Sequence, residues 1–134
     1  MNNCIFCKII KGEIPTNKIY EDDKTLAFLD ISKDLYGHTL VIPKKHFKNI
    51  LDCEKEYLEA VINTVKKVSK HYVDNCGFDG INILNANESS AEQSFFHLHF
   101  HILPRKENDG LHTYPELNKQ DLDLADVANK LKLN

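Results

Sequence analysis

The sequence predicts an α+β domain: a mainly antiparallel sheet of about five strands, one long central helix, and short helices near the N- and C-terminal ends. Three observations carry this. Short runs rich in β-branched and aromatic residues follow one another with only turns between them. A single long apolar stripe at helical spacing interrupts them. The length of 134 residues, with 42% hydrophobic content, suits one core. Residues 1–134 read as one domain, because no linker, repeat or low-complexity tract divides them.

Taken in order, Ile5, Phe6, Ile9 and Ile10 have helical spacing and stop at Gly12 and Pro15, which predicts a short N-terminal helix. Lys18 to Glu21, Thr25 to Asp30 and Thr39 to Pro43 read as antiparallel strands, separated by Asp22-Asp23 and by a turn at Gly37. The long helix is marked by Leu58, Val61, Ile62, Val65, Val68, Tyr72 and Cys76, with Asp52 as the expected N-cap and Gly77 closing the C-terminus. Gly80 to Leu84 and Phe95 to Leu103 are strand-like, with a polar loop from Asn85 to Gln93 between them. Leu122, Ala125, Ala128 and Leu131 predict a short C-terminal helix.

Composition narrows the function. With 17 basic and 20 acidic residues the net charge is -3, which lacks the basic face that long nucleic acid requires. No apolar run approaches the ~20 residues that cross a bilayer. The start Met1-Asn2-Asn3-Cys4 has neither the basic nor the apolar segment of a signal peptide. The four Cys are too sparse for a disulfide framework and read as reduced thiols. The expectation is a soluble cytoplasmic protein whose seven His and four Cys carry its chemistry.

The densest signal is His97-Leu98-His99-Phe100-His101-Ile102-Leu103. On a strand the three imidazoles share one face, roughly 7 Å apart, while Phe96, Leu98, Phe100 and Ile102 enter the core from the other. Three readings compete for such a row: an incidental polar face, a metal site built from His-x-His ligands, and nucleophilic catalysis by imidazole. Cys4-x-x-Cys7 likewise reads as two unconnected thiols or as half of a zinc site. A thioredoxin-like redox pair needs a preceding strand, for which position 4 leaves no room.

The histidine run, preceded by Gln93-Ser94, resembles the signature of the histidine triad (HIT) family of nucleotide hydrolases and transferases. So do Cys4-Ile5-Phe6-Cys7-Lys8-Ile9-Ile10, Gly12-Glu13-Ile14-Pro15, Tyr20-Glu21-Asp22-Asp23, Phe28-Leu29-Asp30-Ile31, and the stretch from Gly37-His38 to Lys45-His46. The resemblance covers residues 4 to about 105 and is to the Hint-like branch, including bacterial zinc-containing members; residues 106–134 form a tail outside it.

The resemblance implies a HIT-like fold and cleavage at the α-phosphate of a purine nucleotide derivative, such as a phosphoramidate, an acyl adenylate or a dinucleoside polyphosphate. It makes His99 the nucleophile that carries a covalent nucleotidyl intermediate. His97, His101, His38 and Ser94 surround the phosphate and leaving group. Asp30 is implied to take the ribose hydroxyls, and Ile5, Phe6, Ile9, Phe28, Leu29 and Ile31 to line the base slot. Gln93 and Asn85 are the implied amide contacts, Asn85 being favoured over Ala86 and Asn87. Cys4, Cys7, His46 and His97 are implied to form a closed structural zinc site, so that both constellations claim His97. A homodimer built on the central helix and a sheet edge is implied too, with a C-terminal end that reaches the partner's site. Many relatives carry Gly where this chain has Glu92, immediately before the Gln-Ser pair. The competing functions are a metal-dependent hydrolase with the triad as ligands, and a nucleotide-binding or interaction module with vestigial turnover.

Overall fold

The computed structural model describes residues 3–134; Met1 and Asn2, part of the expected leaderless start, lie outside the described residues. Five strands form one sheet: β1 (Lys18–Glu21), β2 (Thr25–Leu29), β3 (Thr39–Pro43), β4 (Gly80–Leu84) and β5 (Phe100–Arg105). Their spatial order is β1-β2-β3-β5-β4, and every neighbouring pair is antiparallel. Three helices accompany them: α1 (Ile5–Ile10), α2 (Lys55–Asn75) and α3 (Leu124–Leu131). This is the predicted α+β class. Among the described residues no helix is long and apolar enough to cross a membrane.

Strand alternation gives the sheet two different faces. Ala27, Val41, Phe100 and Ile102 point to the α2 side and pack with Val61, Val65, Val68 and Tyr72. Thr25 and Thr39 on that side are fully buried, and their hydroxyls are satisfied by Thr64 at 2.7 Å and Tyr72 at 2.6 Å. Leu26, Phe28, Leu40 and Ile42 point the other way and pack beneath Phe6 of α1, with Cys4, Ile9 and Ile10 at the margin. Because His101 stands opposite Leu40 in the register, it emerges on the α1 face. The sheet thus carries the larger apolar core on the α2 side, and a smaller one together with the chemistry on the α1 side.

Several sequence expectations shift. The last strand begins at Phe100 and not at Phe95. Carrying the β3–β5 register onward sets Pro43 against Leu98, and proline has no N–H to continue the ladder. Residues before Phe100 are tied elsewhere: the Leu98 N–H donates to the Phe47 carbonyl at 2.7 Å. Phe96, expected in the core, is 42% exposed and lies under the Lys48 ammonium. The α2 N-cap is Glu54 and not Asp52, whose carboxylate instead accepts from the backbone N–H groups of Lys48 and Asn49 in the preceding turn. Ile62 and Cys76, expected on the inward stripe of α2, are exposed. The predicted C-terminal helix forms with Asp123 as N-cap, but no residue of it is buried.

Candidate active site

The site grows from strand ends. Asp30 follows β2 directly, and its backbone N–H donates to the His38 carbonyl at 2.9 Å, which closes the loop between β2 and β3. Gly37 makes that closure possible. Its φ is +85°, and an added Cβ would lie 3.0 Å from the Pro104 ring, so a side chain there would be strained in backbone and crowded by its neighbour. The Asp30 Oδ1 accepts from the Ser32 N–H at 2.8 Å, leaving Oδ2 3.8 Å from the His38 Nε2.

His97 and His99 are each held by a carbonyl, which can only accept, and this assigns their tautomers. His99 is buried, and its Nδ1 lies 2.8 Å from the His97 carbonyl oxygen; a carbonyl only accepts, so Nδ1 bears the proton and Nε2 keeps its lone pair. The His97 Nε2 lies 3.0 Å from the Pro43 carbonyl and donates to it by the same logic, which frees Nδ1. The His38 Nε2 meets the His101 Nδ1 at 2.9 Å. Burial lowers the pKa of His99 and, with the nearby His99 and His38, pushes that of His101 down to about 4. The His99 and His101 rings are neutral at pH 7.

The His99 and His101 ring centroids are 5.0 Å apart, nearer than the roughly 7 Å of a regular strand, which begins only at Phe100. They border a cavity of 230 Å³ that Asp30, Ser94, Phe6, Ile9, Phe28, Leu29 and Ile31 also line. Phe6 is wedged against both His97 and His99 at 5.8 and 5.3 Å between centroids. Ile5, expected in the base slot, also lines it, and Phe95, Leu40 and the Ile14-Pro15-Thr16 turn, to which the sequence assigns no place in the site, complete the wall. A strand assignment had sent Phe95 along the sheet. Ile31 stands at the mouth and is 84% exposed.

Two expected nucleotide contacts are committed elsewhere. Gln93 is buried, its amide donates to the Lys48 and Phe95 carbonyls, and its oxygen accepts from Asn49 and the Glu88 N–H. It locks the loop before the triad and is absent from the cavity wall. Asn85 donates its amide to the His99 carbonyl at 2.9 Å, so it holds the histidine backbone from behind. Glu92 has φ +70°, the left-handed region that favours glycine. Lys44 and Lys45 are paired with Glu21 and Glu54.

His97 turns away from the cavity. Its free Nδ1 faces Cys4 Sγ at 3.3 Å, Cys7 Sγ at 3.5 Å and His46 Nδ1 at 3.1 Å, while Cys7 Sγ lies 3.4 Å from His46 Nδ1. A tetrahedral zinc with usual bond lengths has edges of about 3.3 Å between nitrogens and about 3.6 Å between nitrogen and sulfur. The four side chains fit such an ion in both spacing and donor type. Without one, burial and the neighbouring Cys4 push the Cys7 thiol up to about 11. Asp30, His38 and His101 also converge, but the two rings are hydrogen-bonded to each other. His99 joins neither cluster, so the triad does not gather around one point.

An antiparallel five-stranded sheet that presents a nucleophile-ready imidazole beside a histidine pair, over an apolar slot with a carboxylate at its rim, defines a histidine-triad protein. A family model for the HIT domain matches residues 11–108, and the chain belongs to the HIT family. It is 48% identical over 130 residues to an uncharacterized HIT-like protein of Methanocaldococcus jannaschii, covering 96% of this chain and 98% of that one. It is 40% identical over 136 residues to an adenosine 5'-monophosphoramidase of Schizosaccharomyces pombe, covering 97% and 99%. Among solved structures, a zinc-bound histidine triad family protein from Mycobacterium smegmatis superposes with a TM-score of 0.78 at 33% identity, covering 87% of this chain and 85% of that one.

Proposed function

We propose that the protein is a nucleotide hydrolase or nucleotidyl transferase that cleaves at the α-phosphate of a purine nucleotide derivative, with His99 as nucleophile. The observation that carries this is the hydrogen bond from His99 Nδ1 to the His97 carbonyl, which leaves a neutral Nε2 lone pair at the cavity. Attack by Nε2 forms the P–N bond as the bond to the leaving group breaks, and the leaving group departs with the electron pair and takes a proton through the Ser94 hydroxyl. Water then attacks phosphorus and gives up the proton that restores that hydroxyl, the P–N bond breaks, and His99 regains its lone pair. His101 contacts the phosphate oxygens as charge shifts, with His38 hydrogen-bonded behind it. Asp30 accepts from the ribose hydroxyls, and the base slides between Phe6, Ile9, Phe28, Leu29 and Ile31. Phosphoramidates, acyl adenylates and dinucleoside polyphosphates all present this bond. The monophosphoramidase relative favours the first.

Cys4, Cys7, His46 and His97 hold zinc in this reading, with no open position, so the ion braces α1 against the histidine segment. The chemistry of the reaction needs nothing from it. Thiols that serve as zinc ligands suit the reducing cytoplasm. The protein is a homodimer in the same reading. Ile62 and Val73 on α2 and Ile83 on the edge strand β4 are exposed and adjoin an apolar groove, a surface that a second copy would cover. Sedimentation tests that arm: a monomer at micromolar concentration contradicts it. Turnover of adenosine phosphoramidate, lost in His99→Ala, tests the activity. The metal-dependent alternative predicts prompt loss of activity on chelation while the protein stays folded. The binding-module alternative predicts tight AMP binding with no hydrolysis of any of the three substrate types.

A further inference from the structure

We propose that Asp34 is a positioning residue that sets the proton arrangement of the His38–His101 pair and favours the extra proton the pair takes when a phosphate binds. This rests on the reading of His101 as a phosphate contact. Asp34 lies outside the cavity wall, four residues before His38, in a loop whose Lys33 has the left-handed φ of +58°. Its Oδ1 is 2.8 Å from the His38 Nδ1.

The hydrogen-bond chain has one consistent direction. An ionised carboxylate only accepts, so His38 donates from Nδ1, and in a neutral ring its Nε2 must then accept. The atom facing that Nε2 at 2.9 Å is the His101 Nδ1, which is therefore the donor. What remains on His101 is Nε2, as an acceptor. A phosphate oxygen also only accepts. Contact between the two requires one proton more on the pair, and the carboxylate at the far end of the chain stabilises that charge. The charged and titratable groups around the pair are few: Asp30 lies 3.8 Å from His38, His99 stands beside His101, and Asp34 closes the chain. Asp30 and Asp34 favour the added proton, whereas His99 and the sharing of one charge between two rings oppose it. Once Asp30 is engaged by ribose, Asp34 is the carboxylate still free to answer this charge. Among the described residues His38 is its only ion-pair partner.

The competing account is an ordinary surface pair, since the Asp34 side chain is 57% exposed and such pairs contribute little to stability. Two readouts on Asp34→Ala, Asp34→Asn and Asp34→Glu separate the accounts. Ring ¹⁵N shifts are expected to show Nδ1-protonated His38 and His101 in the wild type, and a redistribution toward Nε2-protonated His38 in Asp34→Ala. With an adenosine phosphoramidate, kcat in Asp34→Ala is expected to fall about tenfold at pH 8 with KM nearly unchanged. The basic limb of its pH profile moves down by about half a unit to one unit. Asp34→Asn, which can still accept but carries no charge, moves the limb while keeping the tautomer, and Asp34→Glu restores both. Unchanged ring shifts together with an unchanged pH profile in Asp34→Ala overturn the proposal. An inactive wild type overturns the proposed function instead, and the ring shifts then still decide whether Asp34 orients His38.

Discussion

The Nδ1 of His99 sits 2.8 Å from the backbone oxygen of His97, its neighbour two residues back. The contact is made within one short stretch of chain and needs no other element, yet it decides which nitrogen of His99 can react. The same stretch sends the His97 ring toward Cys4, Cys7 and His46. One segment therefore serves two constellations, with the backbone oxygen of His97 orienting the nucleophile and its ring joining the cysteines.

Replacing Cys7 with Ser is expected to remove bound zinc and lower the melting temperature, because α1 loses its tie to the histidine segment. Metal analysis and thermal unfolding check this together. In wild-type protein that remains folded after chelation, hydrolysis persists; immediate loss of activity in folded protein points to a catalytic metal.

Asp30→Ala is expected to raise KM for a ribonucleotide substrate by about 10- to 100-fold, the effect of losing a charge-assisted hydrogen bond. Preference for ribose over deoxyribose should narrow by a comparable factor. Steady-state kinetics on the matched pair of substrates provides the measurement.

Glu92→Gly is expected to stabilise the fold by about 0.5–1 kcal/mol, since the strain of a non-glycine residue at φ +70° outweighs the greater freedom glycine gives the unfolded chain. Urea unfolding reads the difference. A destabilised variant means that the Glu92 side chain makes a compensating contact.

Stability is expected to fall on acidification. His101 titrates at 6.5 when unfolded and at about 4 when folded, so between these values the unfolded chain binds more protons. The stabilisation is complete above pH 6.5 and is lost as the pH drops through the window toward 4. The midpoint of denaturant unfolding, followed at fixed salt across that range, should decline steadily. His101→Gln should flatten the decline.

The core helix and central strands were legible because their patterns are long or strict: Val61, Val65 and Val68 recur at helical spacing and are buried, and β3 is buried along its length. The histidine run was legible as a row but not as a bent one. Alternation alone extends the strand to Phe95, whereas Pro43, half a chain away, ends the ladder at Phe100. Gln93 and Asn85 were legible as amides near the site, but what they grip is set by Lys48, Asn49 and the His99 carbonyl, contacts that no local pattern encodes. Asp34 left a faint trace, a carboxylate four residues before a histidine. Its meaning depends on a loop turned by Lys33 and Gly37 at positive φ.

The central claim is a covalent intermediate on His99. Mixing the protein with a labelled adenosine phosphoramidate, quenching in base where phosphohistidine survives, and mapping the adduct by peptide mass spectrometry tests it directly. The account predicts an adenylylated peptide modified at His99 and no adduct or turnover in His99→Ala. Turnover without any adduct, or a His99→Ala variant as active as the wild type, contradicts it.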